Sequence, residues 1–498
     1  MTIVINGKNL TIEQVKEVAR DWTKVALNVE AIDIIKKWRN IVEDFVSREK
    51  KIYGVTTWFW VNSQTFISAQ DASQLQINLA RSHAAWVGEY AAIDVVRATM
   101  LIRANLIASG ITGARLIVVD TMIELLNKWI TPAIPMLWSV WSSWDLAPLS
   151  YIVLVLMGER KVWYQWSIMN TQDAFELAQI NPIDIQCKEW LAIMNGATYM
   201  AWMWALCVYD AEYLSYVSDV AFALTFEAIR WIPGALDERI HLASGFMGQV
   251  ISAQNIRNMI QWSEIIYQDN DRVQDSFSIR CGPRILWASR QAIDFVKNQI
   301  LIEINWAADN PLVLIEDEDI LSWGNFHGQP IALPLDYLKL AISELANVSE
   351  IRIERIVNPA YSEFPPFLVK NPWLQSGFMV VQYTQWWLIN MNKSLCWPNS
   401  CDSIPLCGWQ EDHVAMWTNA AINCMKIIDN TQYVLACEIL TSCQALDFRV
   451  PRLPGYNSRK IYEFIRSFVP FIEKDTVLTP YIEQIKDVIS KNTLPFID

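Results

Sequence analysis

Three observations predict a mainly α fold. Apolar residues recur at three- and four-residue steps over long stretches, strand-like runs are few and short, and Pro- and Gly-bearing loops separate the helical stretches. The chain has 498 residues, 52% hydrophobic and 19% charged, which is enough apolar material for a large core. TIVING at residues 2–7 reads as a first short strand. Thr11 is a candidate N-cap for a helix over TIEQVKEVARDW, with Glu13 in its first turn. IDIIKKWRNIVEDFVSREKK, residues 32–51, has the spacing of an amphipathic helix. Residues 190–209, WLAIMNGATYMAWMWALCVY, hold no charge over a length that could span a bilayer. Asn195, Gly196 and Thr198 interrupt that run and no basic cluster flanks it, so the expectation is a helix buried inside a bundle. LVLIEDEDIL at 312–321 is the other strand candidate. LDYLKLAISELANVSEIRIERIV at 335–357 and NCMKIIDNTQYVLACEILTSCQAL at 423–446 keep helical spacing for more than twenty residues each. Loops at 53–60, 131–148, 281–284, 309–311, 324–330 and 364–372 punctuate the pattern. The expected division is an N-terminal domain over 1–190 and a long-helix bundle over 191–498, with an active site gathered from distant loops.

The net charge of −13 argues against a nucleic-acid partner, which needs a basic face. Nine cysteines without CxxC pairs and only four histidines give no zinc framework, so no metal is expected and the thiols read as reduced. MTIVINGKNLTIEQVKEVAR carries charge early and lacks an apolar stretch with a cleavage site. A cytoplasmic protein is the expectation.

The most unusual feature is the balance of tryptophan and glycine. There are 25 Trp and 16 Gly, where average usage of roughly 7% gives about 35 glycines. Residues 138–151 read WSVWSSWDLAPLSY, and with glycine for tryptophan they read GSVGSSGDLAPLSY. That string resembles GSVGASGDLAPL, the prosthetic-group motif of the aromatic amino acid ammonia-lyases. Further stretches carry the same resemblance in order. Tyr53 to Trp60 resembles YGVNTGFG, Ser82 to Gly88 resembles SHAAGVG, and Lys188 to Gly196 resembles KEGLALINGT. Phe277 to Pro283 resembles YSLRCxPQ, Asp309 to Leu312 matches DNPL, Gly324 to Pro330 matches GNFHGxP, and Gln410 to Val414 matches QEDHV. The resemblance covers residues from about 1 to 450, and SHAA with QEDHV points to the family's histidine branch.

The resemblance implies an ammonia-lyase/aspartase-like central bundle of long helices with an N-terminal segment that bears the prosthetic group, assembled as a homotetramer. It implies that Ser142, Ser143 and Trp144 occupy the triplet that cyclises and dehydrates to methylidene-imidazolone (MIO). It further implies Tyr53 as the base at the substrate β-carbon, Arg280 as the clamp on the carboxylate, and Asn195 as a hydrogen-bonding group near both. Glu411 and His83 would meet an imidazole, with Phe277, Phe326 and Gln410 lining the substrate. An imidazole needs polar partners, because an unpaired ring nitrogen in a closed site is costly. The implied reaction converts L-histidine to trans-urocanate and ammonia, a step of histidine catabolism. Another aromatic amino acid lyase or aminomutase is the alternative enzyme, and a non-catalytic family member is the third reading.

Departures from the pattern accompany these matches. Ser142 replaces alanine, Phe277 replaces a common tyrosine, Tyr151 a common histidine, Met391 a common glutamate, and Ser244 an arginine frequent in the histidine branch. Sixteen tryptophans fall where the family pattern has glycine: 58, 60, 86, 129, 138, 141, 144, 166, 190, 231, 262, 287, 323, 373, 409 and 417. Exchanging them leaves 9 Trp and 32 Gly, an ordinary composition. Glycine offers φ > 0 and close approach, whereas tryptophan needs a large pocket and an N–H partner. One codon, UGA, read as glycine by the cell and as tryptophan here would make this one exchange repeatedly. A divergent protein that is truly rich in tryptophan is the other reading. A literal Trp144 would block ring closure, because the third residue's amide nitrogen must reach the carbonyl two positions back.

Overall fold

A computed structural model describes residues 2–58, 64–137, 146–196, 198–267, 273–306, 308–314, 316, 318–324, 326–406, 409 and 411–495. The fold is mainly α, as the sequence predicts. The chain forms two compact units, each discontinuous in sequence. The first comprises 1–209, 297–335 and 398–422, and the second 210–296, 336–397 and 423–498. These units cut across residue 190 instead of dividing there.

The first unit opens with the strand Thr2–Ile5, which pairs in parallel with Lys24–Leu27. Between them runs the helix Ile12–Ala19, capped as expected at Thr11, whose side chain accepts from the Gln14 N–H while Gln14 bonds back to the Thr11 amide. The amphipathic stretch forms Val29–Ser47 and buries Ala31, Ile35, Val42 and Phe45. Ile93–Ala108 is buried on every side from Val95 onward, including Arg97 and Arg103. Arg97 survives there because its guanidinium donates to the Val18 and Leu126 carbonyls. Burial still pulls its pKa down to about 10.

The uncharged run at 190–209 differs from the single helix expected. Glu189–Met194 ends at Asn195, and a new helix begins at Thr198 and runs to Ala228. Gly196 explains the break. Its φ is +114°, and a Cβ there would lie 1.8 Å from the Ala308 carbonyl oxygen. Among the described residues no helix is long and apolar enough to cross a membrane.

Both long helical expectations hold, as Gln329–Val357 and Trp417–Asp447. LVLIEDEDIL folds as the antiparallel pair Leu312–Leu314 and Asp319–Leu321. Further short strands escape sequence reading, including the hairpin Lys161–Tyr164 with Ser167–Asn170.

In the second unit, buried polar groups tie long helices together. Arg352 pairs with Glu438 at 2.5 Å with both side chains fully buried, and Thr225 donates to the same carboxylate. Phe222 lies under the guanidinium at 5.3 Å.

Candidate active site

The motif at 53–57 is a tight turn. Ile52 N–H donates to Thr56 Oγ1 at 2.9 Å, and Gly54 takes φ +65°, which leaves Tyr53 half-buried at the tip. The Cys187 thiol donates to the Val55 carbonyl at 2.9 Å, which joins this turn to the residue that precedes the motif at 188–196. That motif is joined in turn to Asp309-Asn310. Lys188 Nζ meets Asp309 Oδ2 at 2.6 Å with both side chains fully buried, and Asn195 Nδ2 donates to the Asn310 carbonyl at 2.6 Å. Burial holds the Lys188 ammonium below its usual pKa, with Asp309 opposing that pull.

Asn195 caps the helix Glu189–Met194 and is completely buried. Its carbonyl accepts from the Arg103 guanidinium at 2.6 Å. Its Oδ1 is a buried acceptor with no partner among the described residues. Such an atom is costly unless a ligand donates to it.

His83 ends the helix Ala69–His83, and its ring stands edge-on to Trp190 with centroids 5.5 Å apart. Nδ1 lies 2.8 Å from the Leu79 carbonyl, which only accepts, so Nδ1 carries the proton and Nε2 is the acceptor nitrogen of the neutral ring. Burial lowers the His83 pKa and favours that neutral form.

The helix Leu146–Leu156 follows the triplet motif directly. Tyr151 on it donates to the Ala84 carbonyl at 3.3 Å, and Ser150 Oγ reaches Met194 Sδ at 3.4 Å. The chain leaving the triplet is therefore anchored beside both His83 and Asn195. Ser142, Ser143 and Trp144 themselves lie outside the described residues, as does Gln410.

Asn310 Oδ1 accepts from Ser322 Oγ and the Trp323 amide, which brings in the motif at 324–330. His327 Nε2 lies 3.3 Å from the His413 carbonyl, and the two imidazoles are tilted by 38° with centroids 5.3 Å apart. Phe326 and Glu411, both half-buried, are neighbours of these histidines in sequence. Six of the seven flanking motifs are thus linked by contacts inside the first unit. The seventh belongs to the second unit, where Arg280 lies over the Phe277 ring at 4.7 Å and Phe277 is 69% exposed.

Sequence reasoning missed Arg103, Lys188 and Asp309 as parts of this arrangement. Lys188 and Asp309 lay inside recognised motifs, but nothing in the sequence showed that they pair. Arg103 gave only the weak signal of a lone charge in the apolar stretch TMLIRANLIA.

Within the first unit, loops between helices therefore bring a tyrosine at a tight turn, a buried amide with an unsatisfied oxygen and a neutral histidine onto one connected set of motifs. A sequence model of the family described as aromatic amino acid lyase matches residues 10–467. The chain belongs to the aromatic amino acid lyase family. It is 42% identical to a histidine ammonia-lyase of Caldanaerobacter subterraneus over 98% of this chain and 96% of that one. The crystal structure of histidine ammonia-lyase from Trypanosoma cruzi superposes with a TM-score of 0.93 at 31% identity, covering 99% of this chain and 94% of that one. Tyrosine aminomutase from Streptomyces globisporus gives 0.94 at 31% identity, covering 99% and 98%.

Whether the triplet fits MIO follows from its own chemistry. Ser143 supplies a hydroxyl that can be eliminated. Trp144 as written does not fit, because an indole-bearing residue hinders the tight amide approach that ring closure needs. Glycine at 144 would fit.

Proposed function

We propose that this protein is a histidine ammonia-lyase that converts L-histidine to trans-urocanate and ammonia. The observation that carries the substrate is His83. Its Nδ1 proton is committed to the Leu79 carbonyl, which makes Nε2 an acceptor suited to the N–H of a substrate imidazole. Glu411 supplies the second polar partner, a carboxylate that accepts from the other side of that ring. An aromatic hydrocarbon side chain would have no use for either group.

The reaction breaks the Cα–N bond and removes a β-proton, leaving a double bond conjugated with the carboxylate. Tyr53 takes the β-proton as general base, a role that needs phenolate character. Arg280 binds the substrate carboxylate in the bidentate manner of a guanidinium. Asn195 Oδ1 accepts from the substrate amine, which satisfies the orphaned acceptor. Phe326 and Phe277 pack against the substrate, and Gln410 lies beside Glu411. MIO from residues 142–144 belongs to this reading only with glycine at 144, and no step is routed through it for the triplet as written. The proposed assembly is a homotetramer, four chain masses by light scattering, in the cytoplasm.

Glu411→Gln, made in the chain with glycine at the sixteen positions, tests the substrate. Losing a charged hydrogen-bond partner lowers histidine turnover roughly 10- to 100-fold. Undiminished turnover of histidine would remove Glu411 from imidazole recognition and favour another aromatic substrate.

A further inference from the structure

We infer that the protein made by its own cell carries glycine at Trp22, Trp129, Trp166, Trp262 and Trp409, because the backbone at each is a glycine backbone. Motif comparison marks four of these, and the structure adds Trp22. Their φ angles are 59°, 63°, 64°, 63° and 69°. An L-residue with a bulky side chain is an outlier in this left-handed region, where its Cβ crowds the following carbonyl. Among the described residues, five of 21 tryptophans adopt it, against eleven residues of all other non-glycine types together.

Two of the five occupy positions with a defined glycine preference. Trp129 closes the helix Leu116–Asn127. The Ile130 amide donates to Leu125 at 3.0 Å and the Trp129 amide to Leu126 at 3.4 Å, the paired bonds of a Schellman ending whose left-handed residue is usually glycine. Trp166 sits in the hairpin Lys161–Tyr164/Ser167–Asn170, where Tyr164 pairs with Ser167. Gln165 and Trp166 therefore form a two-residue loop with both φ positive, a type I′ turn whose second residue is characteristically glycine.

The other three lie in equally tight turns. Trp22 joins the helix Ile12–Ala19 to the strand Lys24–Leu27, with the Thr23 amide donating to Glu17. Trp262 follows the helix Met247–Ile260, and Trp409 lies within a turn closed by the Trp409 and Glu411 amides on the Leu406 carbonyl.

Burial could compensate such strain, but only Trp22 is half-buried, with its ring under the Arg97 guanidinium at 4.0 Å, and the other four indoles are exposed. Trp129 is 49% exposed, Trp166 69%, Trp262 70% and Trp409 75%. Trp22, Trp129 and Trp166 crowd together with ring centroids 5.3 and 5.4 Å apart, each from a left-handed turn. Trp163 provides an internal control three residues from Trp166. It lies in the extended strand opposite Ile168, where an aromatic residue is favoured and the backbone makes no demand for glycine. A codon decoded as glycine in the cell places the same exchange at these surface turns and at Trp144. The inference rests on backbone geometry and holds whatever the protein's substrate is.

The gene and the native protein test it together. UGA is expected at codons 22, 129, 166, 262 and 409 and UGG at 163, with glycine at those five positions in tandem mass spectra of the protein from its own cells. UGG at any of the five, or tryptophan in those peptides, overturns the inference. The five-fold variant Trp22→Gly, Trp129→Gly, Trp166→Gly, Trp262→Gly, Trp409→Gly should also melt several degrees above the chain as written, and an equal or lower melting temperature counts against it. If the chain as written fails to fold, codons and peptides still decide.

Discussion

Tyr53 owes its position to its neighbours. Thr56 folds back on Ile52 and Cys187 holds Val55, so the turn that carries the half-buried Tyr53 is fixed from two sides. A group so placed, acting as the proposed base, works in the transition state more than in binding. Tyr53→Phe is therefore expected to lower kcat far more than it raises KM, as steady-state kinetics with histidine would show. A change confined to KM would contradict the role. Tyr53 was legible in the sequence because the stretch from Tyr53 to Trp60 resembles the family's YGVNTGFG motif, whereas a tyrosine by itself marks nothing. Arg103 was not, since its partner is a carbonyl 92 residues away. Trp22 was also hidden. Its neighbours form no recognisable motif, and only the backbone angle betrays it.

At the scale of elements, long periodic helices were readable, and of the short strands only TIVING and LVLIEDEDIL were. Gln329–Val357 repeats its apolar spacing through many turns, whereas Lys24–Leu27 is too short to show alternation and is fixed by pairing with Thr2–Ile5 and by the Asn127 side chain at Val25. The break at Asn195-Gly196 was misread as continuous helix because the Ala308 carbonyl that forbids a Cβ there lies far along the chain. Thr198–Ala228 also buries Glu227, whose carboxyl is pushed up to about 7, chiefly by burial, while it accepts from the Gly455 amide at 2.6 Å. A folded-state pKa above the unfolded value means that stability from the protonated group is fully present below pH ~4.5 and is lost as pH rises through ~7. The three histidines that burial holds below their usual pKa, His83, His241 and His327, act oppositely. Their neutral forms stabilise above pH ~6.5, and that stability fades as pH falls. Glu227→Gln isolates the first effect. In urea titrations it should match its parent near pH ~5 and exceed it by about 2 kcal/mol near pH ~8. A difference that stays constant with pH would show that Glu227 is not the titrating group.

The whole molecule was legible as a class because its motifs keep their order through about nine-tenths of the chain, from the family match at 10 to its end at 467. Their convergence was not legible, since it depends on contacts such as Lys188–Asp309 and His327–His413 between stretches far apart in sequence. The tryptophan excess affects both levels. Overpacking one core site costs roughly 1–3 kcal/mol, as at the fully buried Trp190, Trp231 and Trp417, and a bulky residue in a left-handed turn costs roughly 1–3 kcal/mol more at each of Trp129, Trp166, Trp262 and Trp409, which together rival a fold stability of ~5–15 kcal/mol. The chain as written is therefore expected to be inactive and poorly folded, while its glycine counterpart should work. The decisive measurement adds L-histidine to the protein with glycine at the sixteen positions and at Trp22, and follows urocanate absorbance and ammonia. Equimolar urocanate and ammonia are predicted, and both should disappear in Ser143→Ala of the same chain. A folded glycine-bearing protein that releases neither, or a Ser143→Ala variant that still releases both, would contradict the account.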